Sequence, residues 1–577
     1  MSTKVIFAAW PYTHAVMGIH NLIPMLSGDM LARYYKLMND EVLFISGCDE
    51  YGERMERKAR MENMSPRDLA DVNYHKVKGL LRSFNIDLSD LYRTTDSDHT
   101  AFVQECLNSL HHAGYIQEKH IDTLFCPECE QFVPDIFVIG SCTSCGRRDN
   151  LNDHYASLPC ANNGPIEFED RICAICKSSG VSTPLVNQPS PRWVMKLDKT
   201  PMLDMTRSTE LARSEAIKAR GRTSDWMSIS RSVKWGIPLP FDTSQTVFSW
   251  VDSLLAPLAI FGSNRSLPSI DDNISAIYCI GRDNVPFYSI LLPSLLAYLN
   301  ANFLMPSVIV ANHDICFDGL PCSKSQSRTI DLESALLLLP SDYWRAYLIS
   351  IFPLTANADF SPIDFDYFAR GDLQELDDYI RNVHKLCASV NPRGRNMSTH
   401  CTTTQLSHIR SLLASFGERI GNYDFPSAMS LIFDAARQSN ARFNVDLIDG
   451  DAEAAEFCND LLREAFVLTF LISIFMPDTA KKIRDTFNFV NEKCALNEAY
   501  KEDFDWQIQG DLYDDLFASR ALEKTMAIIR EMVVSIEFSN GFDYTSDKHP
   551  VRIKWDACNC ETWYQVCPLP DDTRKLA

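Results

Sequence analysis

Residues 4–20 read KVIFAAWPYTHAVMGIH and residues 42–52 read VLFISGCDEYG, and these two stretches decide the fold. Lys4–Trp10 and Val42–Cys48 are apolar runs that predict two buried strands, and His20–Met38 between them predicts a helix. Strand, helix and strand with short connections indicate a parallel α/β unit. Ligands of such sheets bind at the carboxyl ends of the strands, so we expect a site in the segments that follow the two strands.

The rest of the chain adds an insert and a helical region to this unit. Ala276–Gly281 and Ser307–Ala311 predict two further strands separated by an apolar helix. Residues 120–190 contain three C-x-x-C pairs and little helical periodicity, which indicates an insert in the α/β core. From about Leu373 to Phe538 the pattern is helical and predicts an α-bundle. Residues 541–577 give no clear prediction.

The composition of the 577-residue chain excludes several classes of protein. The formal net charge of −21 argues against a general nucleic-acid binder, and 23% charged residues with 46% hydrophobic residues exclude a disordered chain. Nineteen cysteines and no secretory pattern favour thiols or metal ligands in a reducing compartment. The longest run without Asp, Glu, Lys or Arg, which starts at Asn284, is broken by Pro286 and Pro293 and predicts no membrane span. We expect a soluble, cytoplasmic protein.

The cysteine pairs carry the most specific signal. They are Cys126/Cys129, Cys142/Cys145 and Cys173/Cys176. The C-x-x-C spacing lets two thiolates bind one tetrahedral Zn²⁺ from a tight turn, and two pairs complete a four-cysteine site. The remaining pair with Cys160 and His154 could form a second site. Four protein ligands leave no open position, so such a zinc would be structural, and the alternative is a set of buried thiols without metal.

Three further features suit a nucleotide and an amino acid. A Lys in the polar segment Ser323–Ser325 could neutralise the charge on a transferring phosphate, although the segment alone is an ordinary loop. His20 opens a helix whose backbone N–H groups suit a triphosphate, and Asp49 at a strand end suits an ammonium group. The plain alternatives are a core or cap histidine and a helix N-cap aspartate.

Longer stretches carry a resemblance to a known family. They are AAWPY (8–12), LARYYKLM (31–38), SGCDEYG (46–52), FCPEC (125–129) with FVPDIFVIGSC (132–142), KWGIPLP (234–240), GRDNVPF (281–287) and PSDYWRAYLIS (340–350). From residue 4 to about residue 482 the chain resembles the methionyl-tRNA synthetase family of class I aminoacyl-tRNA synthetases. The resemblance implies an α/β protein with a Rossmann-type class I catalytic domain, split by a zinc-knuckle insert and followed by an α-helical bundle that resembles the anticodon-binding domain.

The resemblance also implies six segments along the chain. They are the first half of the Rossmann catalytic domain (1–118), the connective insert with its zinc knuckles (119–190), the second half of the catalytic domain (191–318), the SKS loop and stem-contact region (319–372), the anticodon-binding-like bundle (373–540) and a C-terminal tail (541–577).

In this family an amino acid reacts with ATP to give an aminoacyl-adenylate and pyrophosphate, and the acyl group then passes to tRNA. ATP, Mg²⁺ and structural Zn²⁺ are therefore the implied cofactors. Met17-Gly18-Ile19-His20 keeps the last residue of the HIGH motif, with Met17 for the first His and Ile19, or Gly18 under a different gap, at the Gly position. Pro321–Ser325 keeps the second Lys of the KMSKS motif and loses the first. The implied catalytic residues are His20 and Lys324, and the implied ATP-binding residues are Met17, Gly18, His20, Gly281, Asp283, Ser323, Lys324 and Ser325.

The implied amino-acid pocket is mixed. Its residues are Trp10, Tyr12, Asp49, Trp250, Ser253, Leu254 and Tyr288. Asp49 would hold the α-ammonium group, whereas Ser253 and Tyr288 replace the family's Ala and His. Polar changes add little to an apolar thioether pocket, so the sequence leaves open whether methionine or another amino acid is activated.

The resemblance assigns the zinc ligands more closely. Cys126, Cys129, Cys173 and Cys176 would share one zinc. Cys142, Cys145 and Cys160 match three ligands of a second knuckle, in which Ser157 occupies the fourth position unless His154 substitutes.

The acceptor of the acyl group stays open at the level of sequence. Arg381-Asn382 stand in reversed order relative to the family's anticodon-reading pair, and residues 444–450 lack its Trp, which removes about 1–3 kcal/mol of stacking per base. The first alternative is ligation to tRNA. The second is a paralogue that passes the amino acid to a small molecule such as N-hydroxylysine, as hydrazine synthetases do, with a separate cupin-type or biosynthetic partner protein. The third is an inactive scaffold or regulator.

Overall fold

The structure is a computed structural model that describes most of the chain. The described residues are 3–15, 17–133, 137–143, 148–150, 168–178, 180–198, 200–222, 225–262, 274–317, 319–322, 329–390, 397–398, 403–443, 452–487 and 505–506.

The strands are numbered in chain order. They are β1 (Thr3–Ala8), β2 (Val42–Cys48), β3 (Asp90–Arg93), β4 (Ile116–Cys126), β5 (Gln131–Phe132), β6 (Val138–Cys142), β7 (Arg148–Asn150), β8 (Phe168–Cys173), β9 (Val186–Lys196), β10 (Trp226–Ser228), β11 (Ser230–Arg231), β12 (Pro238–Leu239), β13 (Asp242–Val247), β14 (Ile274–Gly281), β15 (Pro306–Asn312), β16 (Ile315–Phe317), β17 (Leu320–Pro321), β18 (Ala358–Asp359), β19 (Met397–Ser398) and β20 (Asp505–Trp506).

The α-helices are numbered in the same way. They are α1 (Leu22–Leu37), α2 (Glu53–Met61), α3 (Pro66–Ser83), α4 (Ser97–His112), α5 (Ala174–Ser178), α6 (Glu210–Arg222), α7 (Ser249–Gly262), α8 (Leu292–Tyr298), α9 (Leu332–Leu338), α10 (Ser341–Ser350), α11 (Pro362–Phe368), α12 (Gln374–Val390), α13 (Thr403–Gly421), α14 (Phe425–Arg442), α15 (Ala452–Phe475) and α16 (Pro477–Phe487).

A five-stranded parallel sheet in the order β15-β14-β1-β2-β3 forms the α/β core. Successive side chains of its central strand β1 enter opposite cores: Val5 and Phe7 pack on one face, and Ile6 and Ala8 on the other. The predicted parallel α/β unit is confirmed, since β1 and β2 pair in parallel on either side of α1 in the chain, and β2 has the predicted bounds. The first strand ends at Ala8 rather than Trp10, which lies beyond the sheet hydrogen bonds.

The insert is built on a long antiparallel ribbon. Strands β4 and β9, of 11 residues each, pair along ten positions and are extended by β5 and β10. A second small sheet in the order β7-β6-β8 lies in the same part of the chain. The described residues of this insert therefore lie mainly in strands, in agreement with its lack of helical periodicity.

The predicted helical region contains α12–α16, which pack on one another, and α15 also packs against α1 of the catalytic core. The helical prediction for 373–538 is thus confirmed over 374–390, 403–421, 425–442, 452–475 and 477–487. Within the described ranges, none of the helices combines the length and the apolar character that a membrane crossing requires.

Candidate functional site

The ends of β1 and β2 bring together two residues that the sequence singled out. Tyr12 and Asp49 form a parallel bridge directly beyond the sheet, in which the Asp49 N–H donates to the Pro11 carbonyl (3.1 Å) and the Thr13 N–H donates to the Asp49 carbonyl (3.1 Å). The two segments expected to hold a site are therefore adjacent at the carboxyl edge of the sheet, where open α/β sheets bind ligands.

An aromatic wall stands beside this bridge. The ring of Tyr12 meets the ring of Trp250 edge-on at 6.1 Å, and Trp250 stacks on Phe287 with centroids 4.0 Å apart and planes 3° apart. Trp250 comes from the first turn of α7, and Phe287 from the turn after β14. Sequence reasoning missed Phe287, although it ends the matching stretch GRDNVPF.

Asp49 has a buried carboxyl group that can accept a further hydrogen bond. Its side chain is 3% exposed, and its Oδ1 has no hydrogen-bond partner among the described residues. Burial raises the pKa of Asp49, and the Tyr51 N–H, which donates to its carboxylate, acts against that rise. An acid in this state favours a ligand that brings a positive charge to it.

A second buried acid, Asp252, was not predicted. It lies one turn into α7, is 1% exposed, and neither of its carboxyl oxygens has a hydrogen-bond partner in the described part of the chain. Burial raises the pKa of Asp252 first, and the nearby charge of Asp49 raises it further. Its position next to Trp250 in the stretch SWVDS was the available signal.

The remaining expected pocket residues are buried around these two acids. Trp10 lies against Gly47, where any side chain would overlap its ring, so the glycine is required for the indole to fit. Leu254 is 1% exposed, and Ser253 donates to the carbonyl of Trp250 at 3.4 Å. Burial and the charge of Asp49 raise the pKa of Tyr288.

The HIGH-like segment is tied to the residues that follow the SKS segment. The Ile19 N–H donates to the Ile330 carbonyl (2.9 Å), and the Leu332 N–H donates to the Met17 carbonyl (2.9 Å). The His20 Nδ1 lies 2.9 Å from the Thr329 hydroxyl. Thr329 was not a predicted site residue, because its partner is 309 positions away in the chain.

The residues of the HIGH-like segment differ in which of their atoms a ligand could contact. Met17 and Ile19 are fully buried in the hydrophobic core, so only their backbone can face a ligand. At Gly18 a Cβ would overlap the Thr329 hydroxyl and lie 2.9 Å from the His20 ring, which leaves room for glycine alone. Ser323, Lys324 and Ser325 lie outside the described residues.

Gly281 and Asp283 lie at the carboxyl end of β14, next to β1 in the sheet. Gly281 ends the strand, and Asp283 belongs to the short turn Arg282–Asn284 and has an exposed side chain. A Cβ at Gly281 would come within 3.0 Å of the Asp283 Oδ1, so glycine lets this carboxylate lie against the strand end.

The insert brings four predicted cysteines together. The Sγ atoms of Cys126, Cys129, Cys173 and Cys176 all lie within 4.8 Å of one another. Three of the separations are 3.6, 3.7 and 2.9 Å, against about 3.8 Å for the edge of a tetrahedron with Zn–S bonds of 2.3 Å. The Cys129 N–H donates to the Cys126 sulfur (3.4 Å), as in a tight turn around a metal. The cluster is compatible with a structural zinc.

The second predicted knuckle falls largely outside the described residues. Cys145, His154 and Cys160 are not described, and Cys142 is described only as the last residue of β6. In the bundle, Arg381 donates to Asp377 (2.8 Å) and Asn382 donates to Asn440 (3.0 Å), while residues 444–450 lie outside the described part.

The chain is similar to known proteins over most of its length. Residues 4–383 match the family model for the tRNA synthetases class I (M). The methionine–tRNA ligase of Korarchaeum cryptofilum is 28% identical over 83% of this chain and 89% of its own length. The cytoplasmic methionine–tRNA ligase of Caenorhabditis elegans is 28% identical over 85% of this chain and 56% of its own length.

A solved structure shares the fold. The methionyl-tRNA synthetase of Mycobacterium tuberculosis, in complex with methionyl-adenylate, aligns with a TM-score of 0.71 at 20% identity, over 90% of this chain and all of that one. The Rossmann-type catalytic core and the helical region therefore have the class I synthetase arrangement that the sequence predicts. With its family model matched over residues 4–383, the chain belongs to the methionyl-tRNA synthetase family of class I tRNA synthetases, which are amino-acid-activating ligases.

Proposed function

We propose that this chain activates methionine with ATP to form methionyl-adenylate and transfers the methionyl group to tRNA. The observation that carries the proposal is Asp49, a buried carboxyl with an unpartnered oxygen at the sheet edge, beside the aromatic wall of Tyr12, Trp250 and Phe287. An α-ammonium group would satisfy this carboxyl, and the wall suits a thioether, because sulfur packs favourably on aromatic rings.

The polar departures in the pocket are compatible with methionine. Ser253 directs its hydroxyl to the carbonyl of Trp250 in its own helix, so it does not require a polar group on the substrate. Leu254 is buried and adds apolar surface. These contacts favour methionine over an amino acid with a second polar group.

The neighbouring segments would bind the nucleotide. Gly18 and His20 would bind the phosphates together with Ser323, Lys324 and Ser325, and Gly281 and Asp283 would bind the nucleoside end at β14. The pairing of residues 17–19 with 330–332 supports this assignment, because it holds the HIGH-like segment next to residues that follow the SKS segment in the chain. His20 and Lys324 would stabilise the charge that develops at the α-phosphate, and Mg²⁺ would neutralise the departing pyrophosphate.

The test is ATP–pyrophosphate exchange with each of the twenty amino acids and N-hydroxylysine, followed by aminoacylation of unfractionated tRNA. We expect exchange with methionine and charging of initiator and elongator methionine tRNA. Exchange with a different amino acid would refute the substrate, and exchange without charging would refute the acceptor. A zinc-loaded protein that exchanges with none of them would refute activation itself.

The alternatives of a small-molecule acceptor and an inactive scaffold find no support in the comparisons, in which the relatives carry the name methionine–tRNA ligase. The same holds for a cupin-type partner protein. The exchange screen nevertheless separates each of them from tRNA charging.

A further inference from the structure

Arg54 occupies a position between the two halves of the proposed site. It belongs to the first turn of α2, which begins directly after the Asp49–Gly52 segment at the end of β2. Its guanidinium carbon lies 5.6 Å from the centroid of the Tyr12 ring, and its side chain is exposed. Arg54 was not among the residues that the sequence pointed to.

The charge of Arg54 acts on both halves of the site. Burial raises the pKa of Tyr12 and of Asp49, and the Arg54 charge opposes that rise at both; the same charge also acts on Asp283. Tyr12 and Asp49 belong to the amino-acid side, and Asp283 lies on the nucleotide side. The guanidinium therefore stands where an amino acid would meet a nucleotide.

Arg54 combines available hydrogen-bond donors with a place beside Tyr12, a combination that the other arginines of α2 do not have. Arg60 pairs with Glu56 at 3.4 Å, and Arg57 lies over the ring of Phe137 at 5.9 Å. Arg54 makes no ion pair or hydrogen bond within the described ranges of the chain. The five N–H donors of the planar guanidinium are thus available beside the Tyr12 ring.

Adenylate formation brings two anionic groups together where the amino acid meets ATP, and a cation there would stabilise them. The carboxylate oxygen of the amino acid forms a bond to the α-phosphorus of ATP, and the bond from that phosphorus to the α,β-bridging oxygen breaks, with both electrons leaving on pyrophosphate. Two anionic groups must approach each other, and negative charge on the α-phosphate oxygens rises in the transition state. The chain has lost two cationic or donor groups of the family's motifs, since Met17 and Pro321 stand at the positions of the first His and the first Lys.

We propose that Arg54 is a catalytic residue whose guanidinium contacts the carboxylate of the bound amino acid and follows it to the α-phosphate as the adenylate forms. The proposal rests on the proposed function. Tyr12 is bridged to Asp49 and has Arg54 beside its ring, so an amino acid with its α-ammonium group on Asp49 would have its carboxylate within reach of the guanidinium. The planar fork matches a carboxylate bidentately, which a lysine would not reproduce.

The test compares Arg54→Ala and Arg54→Lys with Arg60→Ala, which removes the same charge from the same helix away from the site. In ATP–pyrophosphate exchange with methionine we expect about 100-fold lower kcat for Arg54→Ala, partial activity for Arg54→Lys and wild-type rates for Arg60→Ala. Added guanidinium at millimolar concentration should restore part of the Arg54→Ala rate, which a structural defect would not allow.

A binding measurement gives a second readout. By tryptophan fluorescence, Arg54→Ala should bind methionine more weakly than wild type but bind methioninol, which lacks the carboxylate, equally well. Equal exchange rates for Arg54→Ala and Arg60→Ala, or equal losses of methionine and methioninol affinity, would overturn the role of Arg54 and leave the proposed function standing. If the wild-type protein is inactive with every amino acid, both the proposed function and the role of Arg54 are refuted.

Discussion

The carboxylate of Asp29 and the guanidinium of Arg345 form a fully buried ion pair, with the Arg345 Nη2 2.7 Å from the Asp29 Oδ2. Arg345 also donates to the carbonyls of Phe475 (2.8 Å) and Phe84 (3.0 Å), and Asp29 accepts from the Asp87 N–H (2.9 Å). Helix α1 of the sheet layer, α10 and the end of α15 thus meet at one charge pair. The orientation of the helical bundle on the catalytic core is fixed there.

Breaking this pair should destabilise the protein. Arg345→Ala leaves the buried Asp29 carboxylate with Arg33 (2.8 Å) as its remaining cation and removes the donor to the carbonyls described above. Breaking a buried pair costs up to about 3–5 kcal/mol of the free energy of unfolding, and the remaining Arg33 pair places this variant at the lower end. Urea denaturation followed by circular dichroism measures the loss. The matched control is Lys36→Ala, which removes the solvent-exposed pair of Lys36 with Asp87 (2.8 Å) and should cost no more than about 1 kcal/mol. Equal shifts for both variants would contradict the structural role of the buried pair.

The four-cysteine cluster should hold one zinc. Metal analysis of the purified protein should find it, and Cys126→Ser or Cys176→Ser should lower the zinc content by one equivalent because each removes a ligand. Cys106→Ser is the control, since Cys106 is buried in α4 away from the cluster. Unchanged zinc content in both ligand variants would refute the site.

The same measurement tests the second knuckle. Cys142→Ser lowers the zinc content by a further equivalent if Cys142, Cys145, Cys160 and His154 bind a second ion. A wild-type content of one, unaffected by Cys142→Ser, would limit the insert to one zinc.

The sheet and the zinc ligands could be predicted because their signals are local. An apolar run such as VLFISGC or a C-x-x-C pair shows its structure over a few residues. The contact of His20 with Thr329 could not be predicted, since 309 positions separate the two and only tertiary folding brings them together. Asp252 was missed for another reason: an acid in the first turn of a helix is usually a solvent-facing charge, and here the helix turns it into the core.

Gly18→Ala should impair use of ATP. The added methyl group would overlap the Thr329 hydroxyl and press on the His20 ring, so one of them must move out of position. We expect kcat/KM for ATP in pyrophosphate exchange to fall about 10- to 100-fold, because small displacements of catalytic groups are costly. Gly79→Ala in α3 is the control: nothing lies within 4 Å of its Cβ, and alanine should stabilise that helix by about 0.5–1 kcal/mol without affecting ATP.

Asp49→Asn should impair use of the amino acid. The variant keeps the shape of the side chain and removes the charge that would hold the α-ammonium group. A hydrogen bond to a charged group contributes about 1.5–3 kcal/mol, so kcat/KM for methionine should fall about 10- to 150-fold. Asp122→Asn on the exposed face of β4 removes an equal charge and should leave the exchange rate unchanged. Equal activity of the two variants would remove Asp49 from the amino-acid site.

The stability contribution of Asp252 should depend on pH in a definite direction. Burial and the charge of Asp49 raise the pKa of Asp252 in the folded protein above the value of about 3.9 in the unfolded chain. The folded protein therefore holds this proton more tightly, and stability is lost as the pH rises from about 4 towards the folded pKa. Asp252→Asn stays neutral, so its advantage in stability over wild type should grow across this window by at most about 1.4 kcal/mol per pH unit.

The pKa of Asp242 is shifted in the opposite direction to that of Asp252, so its stability contribution should depend on pH in the opposite way. Hydrogen bonds from the Ser244 hydroxyl (2.6 Å) and the Trp193 Nε1 (2.9 Å) lower the pKa of Asp242, so its contribution is present above the unfolded pKa and is lost as the pH falls. Asp242→Asn should therefore be less stable than wild type near pH 7, and the difference should shrink as the pH falls below about 4, the pKa of this group in the unfolded chain. Thermal denaturation of both variants from pH 2 to pH 8 measures the two slopes. If the stability difference between Asp252→Asn and wild type does not grow as the pH rises above 4, Asp252 is ionised in the folded protein. The expected effect of burial and of the Asp49 charge on Asp252 would then be wrong.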